Sequence, residues 1–199
     1  MQDNFKDKAA SWDKGSTRVN GAKTIADAIQ RNIKLNSSME IMDFGVGTGL
    51  LGFEILPHVS SVLGIDTSAK MIEQLNQKNT PECFIESLNR DIVQNPLEKT
   101  FDGLVSSMTL HHVENLELFF TTIYKNIKKD GFIALADLES EDGTFHSDNT
   151  GVFHFGFDSD VLQKIVKDAG FTNIKIQNIN TIEKPQRNFE VFLLSATKD

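Results

Sequence analysis

The chain has 199 residues, enough for one α/β domain with its own core, and its 28 acidic and 20 basic residues give a formal charge of −8. This acidic balance, without a basic run, disfavours DNA or RNA as a partner. Cys83 is the only cysteine, which excludes an internal disulfide and a cysteine-based zinc site. With neither a signal-peptide core nor an apolar stretch that could span a bilayer, the sequence predicts a single cytoplasmic domain over residues 1–199.

An N-terminal helical segment is predicted over residues 1–35, with Gly15 and Ser16 separating two helices. Apolar residues recur in it at helical spacing, which indicates a face packed against a sheet. Trp12, the only tryptophan, allows two interpretations: it packs in the core, or it closes over a ligand. Arg18 is interpreted either as a solvated helix residue or as a clamp for a carboxylate.

The stretch Glu40–Gly52 predicts a buried strand, a tight turn and the start of a helix. Its apolar run reaches Asp43, and glycines then alternate at Gly45, Gly47 and Gly49. Glycines allow positive φ and let a ligand approach bare backbone, while the first N–H groups of a helix favour an anionic group. The second half of the stretch also fits the dinucleotide pattern G-x-G-x-x-G, so two classes of ligand remain open here.

The second predicted strand, Ser61–Asp66, ends in a carboxylate, and Thr67 or Ser68 can cap the helix that follows. Because ligands of open α/β sheets bind at the carboxyl ends of the strands, Asp66 is well placed to accept hydrogen bonds from two ribose hydroxyls. Its other predicted role, capping the next helix, is compatible with the first. The third predicted strand is Cys83–Leu88, with Cys83 as a small buried residue.

Phe101–Val113 combines a fourth buried strand with two small serines, Ser106 and Ser107, where the strand passes close to a ligand. Two adjacent histidines, His111 and His112, follow that strand. The next amphipathic helix starts near Leu116, and its predicted end is Lys128–Gly131, with the glycine as the cap.

A fifth strand, Phe132–Asp137, again ends in a carboxylate. The irregular stretch 139–157 follows it, and because long loops in compact domains tend to be functional, we predict that it forms a substrate lid. The alternative is that its aromatic residues Phe153, Phe155 and Phe157 only anchor the loop to the core. After one more helix, two strands without a helix between them predict an antiparallel pair.

These motifs resemble the class I S-adenosylmethionine-dependent methyltransferases of the small-molecule type, in order and in spacing. The resemblance is carried by the acidic-x-Gly-x-Gly-x-Gly element at Asp43–Gly49, by Asp66, Asp91 and Ser106–His112, and by the closing strand pair. It implies a Rossmann-like, mostly parallel seven-stranded sheet with helices on both faces and an antiparallel final pair. A dinucleotide dehydrogenase would continue with another crossover helix instead.

The resemblance also implies S-adenosylmethionine as cofactor and a small-molecule methyl acceptor, without nucleic acid or membrane as a partner. Carried over by position, the cofactor site is expected to comprise the residues Asp43, Gly45, Gly47, Gly49, Asp66, Thr67, Asp91, Ile92, Ser106 and Trp12. In it, Asp43 would hold the amino group, Asp66 the ribose, and Asp91 with Ile92 the adenine.

An oxygen or nitrogen acceptor can also need a base, and the neutral imidazole of histidine is available near pH 7. The predicted catalytic candidates are His111, His146 and His154, with His111 nearest to the reacting methyl group. Asp137, His146 and His154 match no strong metal signature, so no metal is expected. A module that binds the adenosyl cofactor without methylation remains the alternative function.

Overall fold

The computed structural model describes residues 3, 5–185 and 187–199, so that Met1, Gln2 and Asn4 of the predicted N-terminal segment, and Gln186, lie outside the described residues. The helices and strands follow in chain order: a 3-10 helix Ala9–Lys14, α1 Ser16–Asn32, β1 Glu40–Phe44, α2 Leu50–Ile55 with a 3-10 turn Leu56–His58, β2 Ser61–Asp66, α3 Ala69–Lys78, β3 Glu86–Asn89, β4 Phe101–Ser107, a 3-10 turn Leu110–His112, α4 Leu116–Asn126, β5 Ile127–Leu138, α5 Ser159–Asp168, β6 Thr172–Glu183 and β7 Asn188–Thr197.

The seven strands form one sheet in the order β3-β2-β1-β4-β5-β7-β6. Strands β1 to β5 are parallel, and β7 pairs antiparallel with both β5 and β6. This confirms the predicted α/β class, the mostly parallel sheet and the antiparallel final pair. The strand order reverses between β1 and β4, which is where open α/β sheets hold their ligands.

Helices cover both faces of the sheet because adjacent residues of each central strand point to opposite sides. In β1, fully buried Ile41 packs in the cluster that contains α1 and α2, while its neighbour Met42 packs in the cluster that contains α4 and α5. Leu104 and Val105 of β4 divide in the same way. The long apolar runs read from the sequence are therefore strands buried on two sides. None of the described helices has the length and apolar character needed to cross a membrane.

Two predicted boundaries are wrong. Strand β3 begins at Glu86, and Cys83 is only partly buried while the neighbouring Phe84 is 60% exposed. Helix α4 ends at Asn126, because the Asn126 amide donates to the carbonyls of Leu97 and Lys99 and the chain becomes extended at the next residue. The stretch predicted as the helix end, including its glycine, lies within β5.

Candidate active site

The glycine turn after β1 has the backbone conformation that the sequence predicted. Gly45, Gly47 and Gly49 have φ of 70°, 54° and 87°, a region that other residues rarely adopt. A Cβ on Gly45 would lie 2.2 Å from the side chain of Thr109, so this glycine allows two loops to pack closely. A Cβ on Gly47 would approach only the Gly45 carbonyl, at 4.0 Å, and would otherwise stand in open space. Gly47 therefore leaves room for a ligand against the backbone.

Asp43 and Asp66 end neighbouring strands and line one cavity. Asp43 is 1% exposed, and its Oδ2 has no hydrogen-bond partner in the described part of the chain. Burial and the nearby charge of Asp66 raise the pKa of Asp43 well above its usual value. Burial also raises the pKa of Asp66, although the carboxylate accepts hydrogen bonds of 2.8 Å from the N–H groups of Gly47 and Ser68. A cationic ligand in the cavity would stabilise the ionised form of both carboxyl groups.

Of the predicted cofactor residues Thr67, Asp91, Ile92 and Ser106, only the first two line the cavity. Asp91 and the exposed Thr67 line it, and Asp91 also accepts hydrogen bonds from two backbone N–H groups of its own turn. Ile92 is fully buried in the core and does not line the cavity, so its predicted contact with a ligand stays a prediction. Ser106 is also buried; its hydroxyl donates to the Phe44 carbonyl at 2.7 Å and ties β4 to β1.

The N-terminal segment covers the glycine end of the cavity. The Thr48 hydroxyl donates to Asp13 at 2.5 Å, and the Ser68 hydroxyl donates to Asp3 at 3.0 Å. Between these two attachments, half-buried Trp12 lines the cavity, and the guanidinium of Arg18 lies 4.1 Å from the centre of its ring. Trp12 is thus only partly buried and borders the cavity, and its closing over a ligand stays a prediction.

At the other end of the cavity His111 forms a buried pair with Asp137, the residue near the end of β5. His111 is 2% exposed and Asp137 is fully buried; Nδ1 lies 2.8 Å from Oδ1, and the backbone N–H of His111 donates to Oδ2 at 3.2 Å. Because a carboxylate accepts, Nδ1 carries the proton. Burial alone would lower the pKa of His111, but the charge and hydrogen bond of Asp137 raise it, and the imidazole in turn lowers the pKa of Asp137 against the effect of burial.

Nε2 of His111 is buried and has no hydrogen-bond partner among the described residues, and the same holds for Nε2 of the neighbouring His146. Both residues line the cavity. The turn that carries the histidine leaves β4 through Met108, which adopts φ of 55°, an uncommon conformation for a residue other than glycine. Met108 also lines the cavity, and its strained backbone gives no signal in the sequence.

Two more histidines, His112 and His146, lie beside His111. Rings of His112 and His146 lie 4.1 and 4.9 Å from the His111 ring, centre to centre. Nδ1 of His112 lies 2.7 Å from the Gly151 carbonyl and therefore donates. Burial, followed by the charge of His111, lowers the pKa of both residues to about 4. Both are neutral at pH 7.

His154, the third predicted catalytic histidine, is separate from this group. Nε2 of His154 donates to the Val113 carbonyl at 2.9 Å, and the residue lines a smaller cavity of about 290 Å³ beside α5. The structure thus brings His111 and His146 together but places His154 elsewhere. Among the residues that the structure describes, no group of three or more His, Cys, Asp or Glu side chains is arranged to hold a metal ion.

The stretch 139–157 forms a cover attached at both ends. Its two halves pair through the bridge between Glu139 and Phe157, and the N–H of Phe153 donates to the His111 carbonyl at 3.0 Å. Phe157 is buried in the core, whereas Phe153 is 52% exposed and lines the cavity. Phe157 thus anchors the stretch, and Phe153 remains available to a ligand.

The sequence did not single out Lys184, which also lines the cavity. Lys184 donates to the Phe145 carbonyl, and its Nζ lies 3.8 Å from the centre of the Phe145 ring. Burial lowers the pKa of this lysine. It holds the cover to the β6–β7 hairpin, a contact between distant parts of the chain that no local pattern could have predicted.

The glycine turn, Asp43, Asp66, Trp12, His111, His146 and Lys184 border one cavity of about 940 Å³, at the upper end of the range for small-molecule sites. One end carries the glycine turn and the carboxylates of Asp43 and Asp66. The other carries His111, and residues of the stretch 139–157 line it. The arrangement can hold a ligand with cationic and ribose groups beside a second molecule that gives up a proton.

Comparison with known proteins agrees with this geometry. Residues 42–135 match the family model described as a methyltransferase domain. An uncharacterized methyltransferase of Schizosaccharomyces pombe is 30% identical over 164 residues, which make up 73% of this chain and 57% of that protein. The ubiquinone biosynthesis O-methyltransferase of Pelagibacter ubique is 28% identical over 123 residues, 57% of this chain and 50% of that protein. The chain thus spans about half the length of these two relatives.

Among solved structures, phosphoethanolamine N-methyltransferase 2 of Haemonchus contortus, in complex with S-adenosyl-L-methionine, superposes with a TM-score of 0.70 at 15% identity. The superposition covers 98% of this chain and 60% of that chain. At this level of identity the similarity shows a shared fold.

Proposed function

Because the chain belongs to the class I S-adenosylmethionine-dependent methyltransferases, we propose that it transfers a methyl group from this cofactor to a small-molecule acceptor. The observation that carries the proposal is the cavity that joins the glycine turn and its two strand-end carboxylates to His111. When bound, the cofactor would supply an electrophilic methyl group on a sulfonium centre.

The residues at the glycine end fit this cofactor. The unpartnered Oδ2 of buried Asp43 suits an ammonium group, and such a carboxylate would repel the pyrophosphate of a dinucleotide. Open space at Gly47 accommodates a ligand against the backbone. We assign Gly45, Gly47 and Gly49 to the methionine part of the cofactor, with Asp43 at its amino group.

Asp66 would accept hydrogen bonds from the ribose hydroxyls. Each of its oxygens already accepts one backbone N–H, and each retains a second lone pair for this purpose. The adenine would lie beside Asp91, which lines the cavity, with Ile92 in the core behind it. Thr67 and Trp12 would complete the walls of this pocket.

The acceptor would bind between His111 and the cover. There His146, Phe145 and Phe153 present an aromatic and largely uncharged surface at neutral pH. The name of the Pelagibacter relative, a ubiquinone biosynthesis O-methyltransferase, supports a small acceptor with an apolar portion. The net charge of −8 agrees with an acceptor other than nucleic acid. His111 would act as base.

The test is calorimetric titration of the full chain with S-adenosylmethionine, S-adenosylhomocysteine and NAD. We expect both adenosyl ligands to bind and NAD to give no heat. Binding of NAD alone would contradict the cofactor assignment and favour an oxidoreductase.

A second measurement separates an enzyme from a module that only binds the cofactor. The chain is incubated with S-adenosylmethionine and either the low-mass or the macromolecular fraction of an extract from its own cells, and S-adenosylhomocysteine is quantified. We expect product with the low-mass fraction. Product with the macromolecular fraction alone would contradict the small-molecule acceptor, and cofactor binding without product in either fraction would favour the binding module.

A further inference from the structure

The buried pair of His111 and Asp137 goes beyond what holding a substrate requires. A buried carboxylate beside an imidazole loses the hydration of both groups, so such a pair contributes little to stability compared with apolar packing. Both oxygens of Asp137 are nevertheless committed: Oδ1 accepts from Nδ1 of His111 and from the backbone N–H of Leu138, and Oδ2 accepts from the backbone N–H of His111. Two backbone hydrogen bonds therefore hold the carboxylate, and the third fixes one ring orientation, in which Nε2 has no hydrogen-bond partner among the described residues.

The surroundings of His111 set it apart from the two histidines beside it. From β5 it faces the carboxylate of Asp137; from the cover it faces His146 and, at longer range, the charge of Glu141; and His112 lies next to it in the turn. His112 donates to a neutral carbonyl instead of a carboxylate. Among these three rings, only His111 donates to a carboxylate in the described structure, and a carboxylate makes an imidazole a stronger base.

A strong base matters most for one class of acceptor. A neutral amine attacks with its own lone pair before it loses a proton, and a thiol, with a pKa of about 8.5, is partly ionised near neutral pH. A hydroxyl, with a pKa of about 10 when phenolic and higher when alcoholic, keeps its proton and is a weak nucleophile. General-base catalysis therefore contributes most when the acceptor atom is a hydroxyl oxygen.

We propose that the acceptor is methylated on a hydroxyl oxygen, that His111 removes the hydroxyl proton through Nε2, and that Asp137 is the positioning residue that fixes and strengthens this base. The inference rests on the proposed methyl transfer. As the proton moves to Nε2, a lone pair of the oxygen forms the new O–C bond, and the electron pair of the breaking S–C bond stays on sulfur, which becomes a neutral thioether. The imidazolium then releases its proton to solvent, and the pair returns to its initial state.

The acceptor class is tested with S-adenosylmethionine labelled with ¹³C in the methyl group and the low-mass fraction of an extract from the same cells. The carbon chemical shift of the labelled product distinguishes methyl groups on oxygen, nitrogen, sulfur and carbon. We expect an O-methyl product. An N-, S- or C-methyl product would overturn the inference and leave the proposed function intact. No labelled product, although calorimetry shows cofactor binding, would contradict the proposed function and the inference with it.

The role of Asp137 is tested with Asp137→Asn, and Asp130→Asn, a change at an exposed aspartate with φ of 61°, is the matched control. Since His111 acts when neutral, activity should rise with pH through its pKa. Without the carboxylate this pKa falls, so the acid limb of the kcat profile should move to lower pH while kcat drops at least about tenfold and cofactor affinity is retained. The control should match the parent chain. An acid limb that does not move would overturn the role of Asp137.

If the Asp137→Asn variant does not fold, a measurement on the parent protein still tests the proposal. Histidine NMR on the parent chain, with His111→Gln for assignment, should show Nδ1 of His111 protonated and a pKa above the ordinary histidine value of 6.5. An Nε2-protonated ring, or a pKa below that ordinary value, would overturn the proposal.

Discussion

The two ends of the cavity are built in different ways. At the glycine end, Asp43 and the three glycines belong to one continuous stretch, and Asp66 joins them from the adjacent strand β2. At the histidine end, His111, Asp137 and His146 come from a turn, a strand end and a cover, and they meet only in the folded chain. Local sequence therefore specifies the glycine end, whereas packing specifies the histidine end. Substitutions at one end of the cavity should therefore leave the function of the other end intact.

The largest effect is expected for His111→Gln. Loss of the base should lower kcat by about 10² to 10⁴-fold, because general-base catalysis contributes that much, while the glycine end still binds cofactor. Steady-state kinetics and calorimetry with S-adenosylhomocysteine measure the two effects. His58→Gln, at an exposed position, is the control. Retained kcat would remove the distinction between the ends, because His111 would then have no catalytic role.

Asp66→Ala should show the opposite pattern. Loss of charged hydrogen bonds to the ribose is worth about 1.5 to 3 kcal/mol, so affinity for S-adenosylhomocysteine should fall roughly tenfold to 100-fold. The kcat at saturating cofactor should be retained, because the histidine end is untouched. Calorimetry and saturation kinetics check this against Asp27→Ala, a change on the exposed side of α1. Unchanged affinity would contradict the ribose assignment.

The pH dependence of stability should also differ between the two adjacent histidines. The pKa of His112 is lowered to about 4, so its stabilising contribution is complete above the unfolded value of 6.5 and is lost as the pH falls towards 4. The pKa of His111 is raised, so its contribution is complete below 6.5 and is lost as the pH rises through the folded value.

Accordingly, His112→Gln should reduce the loss of unfolding free energy between pH 7 and pH 5 by up to about 2 kcal/mol. Urea titrations at the two pH values measure this, with His58→Gln as the control. An identical pH dependence in His112→Gln and the parent chain would show that His112 is not held neutral by burial.

A further difference concerns the backbone of the glycine end itself. Gly47→Ala should cost about 1 to 2 kcal/mol of unfolding free energy, because φ of 54° is unfavourable for alanine, and it should also weaken cofactor binding since the Cβ enters the cavity. Gly45→Ala should cost more, because its Cβ would also clash with Thr109. Thermal unfolding and calorimetry compare the two. Equal costs would indicate that the loop contact of Gly45 relaxes.

Most of the fold could be predicted because buried strands and amphipathic helices have distinct periodicities. The two wrong boundaries lie where tertiary contacts override local preference. The Asn126 side chain ends α4 by donating to a distant loop, and Ile127 is then drawn into the sheet beside Phe101. Phenylalanine is common in strands, but Phe84 precedes the point at which β3 pairs with β2.

The sequence by itself determined the class of the fold, the cofactor turn and the carboxylates at the strand ends, since each depends on residues close together in the chain. Only the tertiary structure decided which residue each of these carboxylates contacts. Asp137 ends its strand much as Asp43 and Asp66 do, yet it contacts a histidine 26 positions away. The tertiary structure likewise placed His154 apart from His111 and His146. A hydrogen bond between distant residues depends on how strands are ordered and loops are attached, and no local pattern records that arrangement.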